Sequence, residues 1–141
     1  VTFLRFFAND VFFGSADTVD LQKMVDVAVN ALEDVKGKDI VVLDVAAKTS
    51  LFQRMIIASG DSNRQVKALV NNVAVDLKAQ GFEVLSTEGT ESGEWALVDA
   101  GDVVVHVMLP AVRDFYDIEA LWGGEKPSFH SGHAKPWNSA D

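Results

Sequence analysis

The stretch GEWALVDAGDVVVHVMLP, residues 93–110, decides the fold. Side chains on a strand alternate between two faces, and this stretch divides on that rule. Ala96, Val98, Val103, Val105 and Val107 make one small apolar face, while Trp95, Leu97, Asp99, Asp102, Val104 and His106 make a mixed one. Strands over 94–99 and 102–109, joined by a two-residue Ala100-Gly101 loop, set Trp95 opposite His106, Leu97 opposite Val104 and Asp99 opposite Asp102. The valine face is core. The mixed face has an indole and an imidazole at its centre and two carboxylates at its tip, the make-up of an interface with an apolar middle and a polar rim.

Outward from this hairpin the chain reads as alternating strands and helices. Pro110 stops the second strand, and VRDFYDIEALW (112–122) carries Val112, Phe115, Ile118 or Glu119, and Trp122 at helical spacing. Upstream, Ser62 and Gln65 stand at capping-box spacing ahead of a stripe of Val66, Leu69, Val70, Val73 and Leu77, which Gly81 ends. FEVLST (82–87) is a short strand, and EGTESG (88–93) a turn-rich link to the hairpin. DIVVLDVA (39–46) and FQRMIIASG (52–60) are apolar runs too short for helices and rich in β-branched residues, hence strands. Before them, Thr18 caps a helix with Leu21, Met24, Val25, Ala28, Leu32 and Val35 on one face, and Gly37 is its left-handed terminator. The expected order is α-β-β-α-β-β-β-α: a single α/β domain with a mixed sheet of about five strands and flanking helices.

That domain spans 18–122. Residues 1–17 form an aromatic N-terminal extension, native or not, in which Arg5, Asn9 and Asp10 interrupt what would otherwise pass for a signal peptide. Residues 123–141, rich in Gly, Pro and Ser, read as a flexible tail. No apolar run is long enough to span a membrane, so no membrane partner is expected. The absence of cysteine removes disulfide frameworks and thiolate metal sites and suits a reducing compartment, with the cytoplasm the expected place of action.

Charge narrows the partners further. Of a formal net −9, the segment from Thr87 to Glu119 holds eight acids against the single base Arg113, and so carries −7. Phosphate binding needs Lys and Arg to displace counterions, which argues against direct nucleic-acid recognition and for a basic protein partner. Self-association as a homodimer stays open.

The residues give catalysis little to work with. Asp102 and His106 share a face but lie roughly 13 Å apart along a strand, too far to share a proton. His130 and His133 make an H-x-x-H pair without evident supporting ligands, so no metal is expected. GDSNRQ (60–65) has the form of an anion-binding turn, though the helix cap already accounts for it. Metal-dependent nucleotidyl transfer, the alternative function, needs paired carboxylates at alternate positions of one strand, and no D-x-D or D-x-E falls on any predicted strand. Asp39 and Asp44, an odd interval apart, point to opposite faces. No enzyme activity and no cofactor are expected.

GEWALVDAGDVVVHVMLPAVRDFYDIEALW (93–122) resembles the signature of the ribosomal silencing factor family, also called the Iojap family. KTSLFQRMIIASGDSNRQVKALVNNV (48–73) and ALEDVKGKDIVVLDV (31–45) resemble the family's other motifs, so that the similarity covers about residues 20–122. The resemblance implies a nucleotidyltransferase-like fold without its chemistry. It also implies binding to large-subunit ribosomal protein fourteen, a steric block to subunit joining, and lower translation when nutrients are short. Residues matching the family's contact surface are Trp95, Asp99, Ala100, Gly101 and Asp102; the segment Phe115 to Trp122, with Tyr116 and Asp117, is expected near it. Leu97 and His106 join these from the face reading. The chain departs from many relatives at Gln53-Arg54, where they carry Asp and an aromatic residue, and at Ala100, where they are commonly larger.

Overall fold

The computed structural model describes residues 20–123. Thr18, the extension over 1–17 and the histidine pair at 130 and 133 lie outside the described residues. Helix α1 runs over 20–34, followed by β1 (Lys38–Asp44), β2 (Arg54–Ser59), α2 (Asn63–Ala79), β3 (Ser86–Glu88), β4 (Trp95–Asp99), β5 (Val103–Met108), α3 (Pro110–Tyr116) and α4 (Ile118–Leu121). The strands make one sheet in the order β1-β2-β5-β4-β3, parallel only between β2 and β5. The last strand in the chain therefore lies in the middle of the sheet. Flanked by strands on both sides and buried at every residue but His106, β5 is apolar almost throughout, which is why VVVHVM departs from simple alternation.

The main core lies between the sheet and the pair α1 and α2. Leu21, Val25, Ala28 and Leu32 from α1 and Val66, Leu69, Val70, Val73 and Leu77 from α2 meet Ala96, Val98, Val103, Val105 and Val107 of the hairpin. Ser62 caps α2, its hydroxyl accepting from the Gln65 amide at 3.1 Å. Gln65 returns the contact one residue earlier than a capping box would, accepting from the Asp61 amide at 2.6 Å. Its side-chain nitrogen also donates to the carbonyls of Val35 and Lys36, both at 3.0 Å, and so ties the start of α2 to the end of α1.

Several local expectations are corrected. Lys36 (φ 64°), not Gly37, is the left-handed residue closing α1: its amide donates to Glu33 O at 3.0 Å, and the Gly37 amide to Leu32 O at 2.8 Å. Glycine suits position 37 for lack of room, since a Cβ there would meet Leu32 O at 3.0 Å and Leu69 Cδ2 at 3.1 Å. In FEVLST the chain pairs only from Ser86, and the strand runs on to Glu88. β1 carries a bulge between Lys38 and Val41, with Asp39 at φ 51°, so alternation does not carry from Asp39 to Asp44 and their opposed faces cannot be counted from spacing.

The expected single helix over 112–122 is two helices. Asp117 is left-handed (φ 49°, ψ 51°) and turns the chain between α3 and α4. Pro110 opens α3 as well as ending β5, a place where its missing N–H costs nothing. The two helices lie over a second, smaller core on the other sheet face, where Val45, Met55, Ile57 and Met108 are buried with Trp95, Val112, Ile118 and Trp122 against them.

Candidate functional site

The hairpin turns one residue later than expected. Trp95 pairs with Met108, Leu97 with His106 and Asp99 with Val104, two residues from the expected ladder. Gly101 (φ 86°) and Asp102 form the bend, and the Ala100 amide closes it onto Val103 O at 2.9 Å. The positive φ settles the loop, because only the second residue of Ala-Gly takes it without strain. A shift of two residues leaves every side chain on its own face, so the division into a valine face and a mixed face holds while the partners change.

The mixed face is half covered. At the end nearest Pro110, α3 and α4 pack over Met108 and the inner side of Trp95. Towards the hairpin tip the sheet lies open as a groove of about 450 Å³, with Leu97, Val104 and His106 on its floor. Leu51 and Phe52, from the β1–β2 connection, line it together with Leu85, Glu88 and Asp99. Leu51 is 80% exposed and Leu85 57%, so these walls offer apolar surface to water.

Trp95 stands where the groove meets the helices. Its indole nitrogen donates to His106 Nδ1 at 2.9 Å, a diagonal contact in place of the direct opposition expected. Its ring centroid is 4.9 Å from that of Tyr116, and Phe115 meets Tyr116 edge-on at 5.0 Å. Phe115 and Tyr116 are exposed, as is Leu121, and extend the apolar surface beyond the groove. Burial disfavours the charged imidazole and lowers the His106 pKa from 6.5 to about 4.

Carboxylates mark the groove's edge. Asp99 accepts from the Gly101 amide through Oδ1 at 2.9 Å, which fixes the turn, and Glu88 accepts from the Ser86 hydroxyl at 3.2 Å. Not every expected site residue lies here. Ala100 is buried in the main core and, with Asp102, lines a different cavity of about 610 Å³ beside Leu21, Met24 and Phe82. Asp102 is exposed and receives the amides of Gln53 and Arg54 on its own carbonyl, at 2.8 and 3.0 Å. Asp117 is the left-handed link between helices, and Trp122 is half-buried with its ring 5.5 Å from Phe52.

Sequence reasoning missed Leu51, Phe52, Leu85 and Glu88 as groove residues. Leu51 had one usable signal, a large aliphatic between the polar break at 48–50 and Phe52. It also missed what holds the helices down. Arg113 and Glu119 are fully buried and joined by two bonds, Nε to Oε1 at 3.2 Å and Nη2 to Oε2 at 2.9 Å, while Nη1 donates to Ser59 Oγ at 2.8 Å. In one continuous helix, residues six apart are rotated by roughly 240° and do not meet. The break at Asp117 lets them do so.

Among the described residues no group of three or more His, Asp or Glu is placed to hold a metal ion, and no helix is long and apolar enough to cross a membrane.

The family model described as "Ribosomal silencing factor during starvation" matches residues 18–140. The chain is 67% identical over 121 residues to the ribosomal silencing factor RsfS of Chromobacterium violaceum, covering 86% of this chain and 99% of that one. To the Haemophilus influenzae protein of the same name it is 39% identical over 99 residues, covering 70% and 97%. A crystal structure of a Chromobacterium violaceum protein is similar at a TM-score of 0.76 and 69% identity, over 83% of this chain and 98% of that chain.

Proposed function

The chain belongs to the ribosomal silencing factor family, and from that premise we propose that it represses translation by occupying the large ribosomal subunit. On this reading it docks on large-subunit ribosomal protein fourteen and sterically blocks subunit joining when nutrients are limiting. The same reading keeps the nucleotidyltransferase-like scaffold for binding alone and places the protein's action in the cytoplasm.

The observation that carries the docking half is the open groove on the mixed sheet face. It joins exposed apolar walls at Leu51 and Leu85 to an acidic edge at Glu88 and Asp99, and continues into Tyr116 and Phe115 beside Trp95. Such a surface suits a protein with apolar anchors among basic residues, and ribosomal proteins carry basic surface. It suits bare RNA poorly, because phosphates would face carboxylates.

Occupancy rather than catalysis fits the way the polar groups are used. His106 commits Nδ1 to the indole of Trp95, and Asp99 commits an oxygen to the Gly101 amide. Both hold the hairpin in shape. Sedimentation of the full chain with purified subunits tests the proposal: the protein should travel with the large subunit and not the small one, and should reduce joining of the two. Equal partitioning, or none, refutes it.

A further inference from the structure

The bond between Trp95 and His106 restricts what the groove can recognise. An indole N–H only donates, so His106 Nδ1 accepts and carries no proton. The neutral ring then holds its one proton on Nε2, the tautomer this network requires. Nε2 makes no hydrogen bond within the described residues, and the ring lines the open groove. A fixed donor thus stands on an otherwise apolar floor.

The surroundings decide which acceptor can meet it. Glu88 and Asp99 line the same groove. A carboxylate or phosphate brought to Nε2 would be repelled by both, whereas a neutral carbonyl would not, and a neighbouring cation would be attracted. We propose that His106, with Nδ1 engaged by Trp95, is the specificity-determining donor of the groove. Its Nε2–H reads a neutral acceptor oxygen, a backbone carbonyl or side-chain amide, on a loop of a protein partner. The same loop lays an apolar side chain over Leu97 and brings a Lys or Arg to Glu88 and Asp99. This rests on the function proposed above and adds the chemistry of the segment recognised.

The test titrates the full chain and two variants against purified large ribosomal subunits, and against protein-free large-subunit RNA. His106→Phe keeps the ring but supplies neither acceptor nor donor, and should weaken subunit binding about tenfold. His106→Gln can accept from Trp95 and still donate outward, and should stay within about threefold of wild type. A Phe variant that binds like wild type, or a Gln variant as weak as the Phe one, overturns the inference. Binding to free RNA that depends on His106 overturns it as well, since the acceptor would then not belong to a protein. Should the Phe variant fail to fold, nitrogen-15 spectra of the wild-type histidines decide: Nε2 protonated and Nδ1 bare at neutral pH supports it, and the reverse tautomer overturns it. If the wild-type chain does not bind subunits, the proposed function falls and this inference with it. If wild type binds and the Phe variant is indifferent, this inference falls alone.

Discussion

Replacing Glu119 with alanine removes the carboxylate from a guanidinium that has no access to water. Both side chains are 0% exposed, and the two oxygens of Glu119 receive Nε and Nη2 of Arg113 at 3.2 and 2.9 Å. Arginine does not escape by losing its proton. Of the bonds described above, the one to the Ser59 hydroxyl at 2.8 Å stays, and it brings no opposing charge. Breaking such a pair costs about 3–5 kcal/mol, against a total stability of about 5–15 kcal/mol for a domain. Urea unfolding followed by tryptophan fluorescence reads the loss, and Trp95 and Trp122 both pack on the core that these helices cover. The double change Arg113→Met with Glu119→Leu removes both charges and fills similar space, so it should recover most of the stability. A Glu119→Ala variant that loses less than about 1 kcal/mol, as an exposed pair would, refutes the reasoning. The pair would then be hydrated, and something else would hold α3 and α4 to the sheet.

Two further outcomes follow from the groove. Asp99→Asn combined with Glu88→Gln should slow association with the large subunit and flatten its salt dependence, because edge charges act mainly through steering. Asp102→Asn, outside the groove, should do neither; stopped-flow binding at several salt concentrations separates the two. For His106, the folded-state pKa of about 4 lies below the ordinary 6.5, so between those values the unfolded chain binds a proton that the folded chain does not. This contribution to stability is therefore complete above pH 6.5 and fades as the pH falls towards 4, by roughly 3 kcal/mol in all. Unfolding measured across that window should show the slope in wild type and lose it in His106→Gln.

Much of the fold was legible because it is written in alternation and helical spacing. The valine face of the hairpin, the stripe from Val66 to Leu77 and the Ser62 cap all depend on neighbours within a few residues. The hairpin's faces were readable but its ladder was not. Parity survives a shift of two residues, whereas the partners depend on which residue of Ala-Gly-Asp takes the positive φ. The candidate site was legible only where it lies on that hairpin. Leu51, Leu85 and Glu88 reach it through the order of strands in the sheet, which no local pattern states. Trp95 was readable as a half-buried indole, yet its support by Tyr116 waits on the direction in which α3 leaves β5 at Pro110. The Arg113–Glu119 pair was hidden by the reversal at Asp117: its spacing belongs to a broken helix, and sequence periodicity presumes a whole one.

The central place of β5 bears on how the protein is made. Until residues 103–108 are available, β2 lacks a neighbour on one side and β4 is held only by the three residues of β3. A nascent chain ending before Met108 therefore exposes strand edges from two half-sheets with nothing between them, an arrangement open to pairing with other chains. The closing strand must insert between segments that are distant in sequence, as the parallel pairing of β2 with β5 requires. Non-local contacts of this kind slow folding, so the sheet completes only once β5 has joined its two halves. Truncations that remove β5 should give aggregates rather than a smaller domain, and the same strand that carries His106 into the groove is the one whose arrival makes the protein a folded unit.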